Sequence, residues 1–147
     1  MALTHFSGPI VSTNGFSTGS GSTEVITAAE TLTFDADNGK THFLDAAAGA
    51  TVTLPALTAG GHHKFIVTSA FATTNWIVAS AEGDNISGNL LVAGAHVPAA
   101  AEDQINFVAT AEGVGDWIEL WADTTNSQWI VTGVGALTGG ITATDPA

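Results

Sequence analysis

Short apolar stretches rich in β-branched and aromatic residues recur along most of this chain, about ten residues apart, each cut off by Gly, Pro, Asn or Asp. That rhythm leaves little room for long helices and favours strands joined by tight turns. Thr31-Leu32-Thr33-Phe34 alternates apolar and polar, as does Ala50-Thr51-Val52-Thr53-Leu54 before Pro55. Lys40 to Leu44, Lys64 to Thr68, Asn75 to Ala79, Gln104 to Ala109, Trp117 to Trp121 and Gln128 to Thr132 read as further strands. Ile86 to Val92 reads as one more, broken by Gly88. Asp35-Ala36-Asp37-Asn38-Gly39 reads as a turn, and Asn-Gly is a strong hairpin signal because both residues tolerate positive φ. Ala99 to Ala101, followed by Glu102-Asp103, has the composition of one helical turn without helical periodicity. No internal repeat is evident. The pattern predicts an all-β fold, a single β-sandwich or barrel-like domain over residues 24–132. A flexible N-terminal arm, residues 1–23, is expected to precede it, and a Gly/Thr-rich, partly disordered C-terminal tail, residues 133–147, to follow.

Charge excludes several partners. Fourteen Asp and Glu face two basic residues, Lys40 and Lys64, for a net charge of −12. Neutralising nucleic-acid phosphates takes Lys and Arg, so nucleic acid is not an expected partner. An anionic membrane surface is disfavoured for the same reason. No apolar run reaches the roughly 18 residues of a spanning helix, and Met1 to Phe6 lacks a signal peptide's basic and apolar regions. The expectation is a soluble protein made in a cytoplasm. With no Cys, the chain offers no disulfide framework, thiolate metal site or Cys nucleophile.

The groups that carry chemistry elsewhere do not assemble into a motif here. His62-His63 would point to opposite faces of a strand and so not chelate one ion alone. With His42, or with symmetry mates, they would have the ligands for one. Asp35 to Gly39 begins like a calcium loop, but Gly39 is fifth rather than sixth and Ala46 stands where the bidentate Glu belongs. Glu82-Gly83-Asp84-Asn85 reads in the same way as a turn. There is no nucleophile elbow, phosphate loop or dinucleotide fingerprint. No catalytic residues, cofactor or metal are expected.

Two features point to surface binding instead. Residues 1–23 carry no Asp, Glu, Lys or Arg, yet Phe6, Pro9, Ile10, Val11 and Phe16 interrupt the Gly, Ser and Thr. A purely entropic tail has little use for such residues; an arm that orders on a partner does. Trp117 and Trp121 fall on one face of a strand with Glu119 between them. That face is read as core or subunit interface first, and as a sugar-stacking platform second. An apolar share of 45% with only 11% charged residues also exceeds what one small domain hides, and closed cyclic symmetry would cover the excess.

The stretch from Thr31 to Pro55, with its turn ending in Gly39-Lys40 and its Val52-Thr53-Leu54-Pro55, followed by glycines and the Lys64 to Val67 strand, resembles a β module of small tailed-phage structural proteins. The opening His5-Phe6-Ser7-Gly8-Pro9-Ile10-Val11-Ser12 is similar to the start of short proteins that accompany major capsid proteins. Together these stretches cover about half of the chain. The resemblance implies a capsid decoration, or cement, protein: a homotrimer on the exterior of a bacteriophage virion, its N-terminal arms reaching over the major capsid protein, with no catalytic residues. The alternative is a carbohydrate- or host-surface-binding module of a tail fibre or spike, using the Trp117 and Trp121 face.

Overall fold

The structure, a computed structural model, describes residues 22–81 and 85–146. In chain order the elements are β1 (Thr23–Ile26), β2 (Glu30–Thr31), α1 (Phe34–Asp37), β3 (Thr41–Leu44), β4 (Thr51–Thr53), β5 (His62–Val67) and β6 (Trp76–Ala79). There follow β7 (Asn85–Val92), β8 (Ala95–Glu102), β9 (Gln104–Phe107), β10 (Trp117–Asp123), β11 (Gln128–Gly135) and β12 (Ile141–Thr144). They form a β-sandwich of two sheets, a seven-stranded one ordered β1-β3-β5-β10-β11-β7-β8 and a five-stranded one ordered β12-β9-β6-β4-β2.

From β1 to β6 the chain crosses to the other sheet at every step, and all neighbours within a sheet are parallel. This half is therefore three coils of a flattened parallel solenoid. Successive coils stack Val25 on Phe43 on Ile66 and Ile26 on Leu44 on Val67 in the large sheet. In the small sheet they stack Thr31 on Thr53 on Ala79. An internal repeat thus exists, carried only by register among common residues. The second half closes the sandwich antiparallel, β10 on β5 and β9 on β6. Strand alternation places Phe65, Ile118, Leu120, Trp129 and Val131 of the large sheet against Val52, Trp76, Val78, Ile105 and Phe107 of the small one, all buried.

Four local expectations are corrected. Thr31 to Phe34 is not one strand: Thr33 caps α1, its hydroxyl accepting from the Ala36 N–H, while the Asp37 carboxylate accepts from the Thr33 N–H at 2.7 Å. Asn38-Gly39 makes no hairpin, because β2 and β3 lie in different sheets. Asn38 instead ties its coil to the next: its Oδ1 accepts from the His62 N–H at 2.8 Å and its Nδ2 donates to the Gly60 carbonyl at 3.2 Å. Ala99 to Ala101 belongs to strand β8, where small side chains meet β7 beside a register shift at Ile86 and Ser87. Half of the described residues of the expected C-terminal tail are in sheet. β11 runs on to Gly135, and β12 pairs with β9 and buries Ile141.

Candidate functional site

The two outer faces of the sandwich differ sharply. On the small sheet, one register row reads Thr144, Gln104, Ala79, Thr53 and Thr31, and the next Thr142, Asn106, Ile77 and Thr51. At one end of these rows Gln104, Asn106 and Thr144 satisfy one another. Gln104 Nε2 donates to Asn106 Oδ1 at 3.1 Å and to Thr144 Oγ1 at 3.0 Å, and Asn106 Nδ2 donates to Thr144 Oγ1 at 2.9 Å. This is a face that water can cover at little cost.

On the large sheet, the row through Val25, Phe43, Ile66, Trp117, Val134 and Leu91 is apolar across six strands. A middle row, Thr41, Lys64, Glu119, Thr132 and Asn89, is polar, and a third holds His62, Trp121 and Ile130. Val25, Leu91, Trp121, Ile130 and Val134 are between 37% and 57% exposed. The other large apolar side chains exposed among the described residues, Val114 and Leu137, sit in loops at the end of the sheet where β10 begins and β11 ends. Contiguous apolar exposure on this scale marks an interaction surface.

The charges on these three rows cancel. The Lys64 ammonium lies 4.0 Å from the Glu119 carboxylate and 4.7 Å from the centre of the Trp117 ring. His62 Nε2 meets Glu119 Oε1 at 2.7 Å, and the His62 ring stacks on Trp121 with centroids 5.4 Å apart. The expected face of Trp117 and Trp121 therefore exists, while Ile118 and Leu120 point into the core. One side of each indole is already covered, Trp117 by Lys64 and Trp121 by His62. The His62–Glu119 pair lies on this outward face with both side chains partly buried.

The other histidine of the pair points inward. His63 and His42 are fully buried and meet Nδ1 to Nε2 at 3.4 Å, with Phe65 stacked beyond His42 and Trp129 edge-on to His63. Burial pushes both imidazoles down to about 4, helped for His63 by the neighbouring His42. Both rings are neutral in the fold. Beside them Lys40, 6% exposed, bridges Asp37 and Glu24 at 3.0 Å each. Burial alone would lower the Lys40 pKa, but its two carboxylates raise it; burial alone would raise that of Asp37, but the Thr33 amide and Lys40 hold it down. With Asp37 committed to Thr33 and Lys40, the aspartate turn has a structural explanation. A shallow depression of about 250 Å³ at the β2–β4 edge, lined by Ala29, Glu30, Thr31, Thr51 and Thr53, offers one carboxylate, its pKa raised by burial and by Glu24 and Asp37.

Phe6, Pro9, Ile10, Val11 and Phe16 lie outside the described residues, as do Glu82, Gly83 and Asp84. The chain enters the described part at Ser22, next to β1, an edge strand of the large sheet. Sequence reasoning missed Val25, Phe43, Ile66, Leu91, Ile130 and Val134 as members of the face. A signal was present in Trp129-Ile130-Val131-Thr132-Gly133-Val134, which is apolar on both faces of one strand. A strand covered on only one side alternates. No protein-family model, curated protein or solved structure matches the chain.

Proposed function

We propose that this protein is a virion structural protein that decorates and stabilises the outside of a tailed-phage capsid as a homotrimer. Residues 1–23, through Phe6, Pro9, Ile10, Val11 and Phe16, contact the major capsid protein. The observation that carries a docking role is the contrast between the two outer faces: hydrogen-bonded Thr, Gln and Asn on the small sheet, exposed Trp, Ile, Leu and Val on the large one. The phage setting rests on the sequence resemblance and on the uncharged arm.

The arm's part can be separated from the body's. Ordering a backbone residue costs roughly 1–2 kcal/mol, and burying each of the four large apolar anchors, Phe6, Ile10, Val11 and Phe16, returns on the order of 1.5–3 kcal/mol. The anchors alone do not order the arm, so backbone pairing with the shell must contribute. Three arms on one trimer then multiply weak contacts into firm attachment. The test compares co-sedimentation of the full chain, and of a chain beginning at Ser22, with capsids lacking the decoration protein. The full chain is expected to bind and the shortened one to bind at least about tenfold more weakly. Equal binding would move attachment to the β body; failure of the full chain to bind would sink the proposal.

A second reading, a carbohydrate- or host-surface-binding module, is favoured by Trp121, which is 41% exposed beside the Glu119 carboxylate. It is weakened by His62 and Lys64, which already cover one side of the Trp121 and Trp117 rings respectively. A glycan-array signal that disappears in Trp121→Ala would prefer it.

A further inference from the structure

We propose that the outward face of the seven-stranded sheet is where copies of this chain bind one another. The inference rests on the docking reading above and names the partner for that face.

Charge selects a second copy over a shell protein as the occupant. The chain carries −12, yet the carboxylate within the three rows of this face is that of Glu119, which meets Lys64 at 4.0 Å and His62 at 2.7 Å, and the seventh strand adds His96, Pro98 and Ala100 to them. Contact between two copies here opposes no unpaired acidic groups; the small-sheet rows are uncharged too, but their Thr, Gln and Asn are polar, so the large-sheet face is the one of the two that is both neutral and apolar. A basic partner, conversely, is recognised by unpaired carboxylates, and these rows present none. Extent points the same way. Strands about 4.8 Å apart, with same-face residues about 6.7 Å apart along each, give the three rows, completed by Thr23 on β1, Ser87 on β7 and His96, Pro98 and Ala100 on β8, roughly 600 Å². A specific interface takes about 600–1,000 Å² from each partner. The apolar residues also fall in two rows, one through Trp117 and Val134 and one through Trp121 and Ile130, with polar Glu119 and Thr132 between.

The test uses the full chain. Ile130→Glu with Val134→Glu places two carboxylates on exposed positions of this face; Thr51→Glu with Thr53→Glu does so on the small sheet. Light scattering is expected to return one chain mass, 14.8 kDa, for the first variant and the wild-type multiple for the second, with both keeping the wild-type circular dichroism spectrum. A folded first variant that retains the wild-type mass overturns the inference. If that variant keeps its mass but no longer binds capsids, the face meets the shell: the inference fails and the docking reading stands. Wild-type protein that binds no capsid sinks the docking reading whatever the variants weigh. Should the glutamates prevent folding, single cysteines decide, since the chain has none of its own. Maleimide should label Ile130→Cys at least about tenfold more slowly than Thr51→Cys, and dilution to monomer should erase the difference. Equal rates at high concentration overturn the inference.

Discussion

Acid should attack this fold through the His42–His63 pair. Both rings are neutral in the folded protein because burial holds their pKa values at about 4, against an ordinary 6.5. The unfolded chain therefore takes up protons that the folded chain refuses. Stability is complete above about pH 6.5 and is lost as pH falls from there towards 4. Each ring then costs the fold about 2 kcal/mol at pH 5 and up to ~3 kcal/mol below pH 4. Near pH 5 the two together make stability fall by about 2 kcal/mol per pH unit as pH drops. Relief of self-repulsion in a chain of charge −12 acts in the opposite direction, so the histidine part must be isolated by difference. Urea unfolding of the wild type and of His42→Phe/His63→Leu, at several pH values between 4.5 and 7.5, makes that subtraction. The double variant should lose most of the acid-dependent slope. If it keeps the wild-type slope, or if NMR shows both imidazoles of the folded protein titrating near 6.5, the reasoning is wrong.

Three further outcomes follow from single contacts. Gly88→Ala drives a Cβ into the Val131 carbonyl oxygen in a strand where φ is +151°, so thermal melting should show a loss of more than about 2 kcal/mol. Lys40→Met leaves Asp37 and Glu24 facing each other without their cation; chemical denaturation at pH 7 should show a loss of about 3–5 kcal/mol, partly recovered by adding Asp37→Asn. Trp129→Ala empties a fully buried site beside His63 and should cost about 3–5 kcal/mol by the same assay, whereas Thr51→Ala on the small-sheet face should change stability by less than about 0.5 kcal/mol.

Much of the strand content was legible because it rests on local alternation. His62-Lys64-Ile66 against His63-Phe65-Val67 in β5, and Trp117-Glu119-Trp121 against Ile118-Leu120 in β10, show their two faces in the order of residues alone. The winding was not legible. Ile26, Leu44 and Val67 share a register row although no residue type repeats among them, since a parallel coil needs only matching length and an inward apolar residue. Asn38-Gly39 carried a true turn signal, but Asn38 spends its amide on Gly60 and His62 across coils, and sequence spacing holds no record of that partner. Gly133, Gly135 and Thr142 looked like tail composition. Gly133 is required because a side chain there would strike the Trp117 carbonyl, and Thr142 faces Asn106 on the outer row of the small sheet. Tertiary packing overrode propensity in both places. Trp117 and Trp121 located the candidate face, whereas its breadth came from strands far apart in sequence.

The mass of the full chain in solution tests the account most directly. Its central claim is a docking protein whose apolar sheet face is covered by its own copies. Light scattering at micromolar concentration and moderate salt should return three times the 14.8 kDa of one chain. A value of one chain mass, with the apolar face left to water, would contradict it.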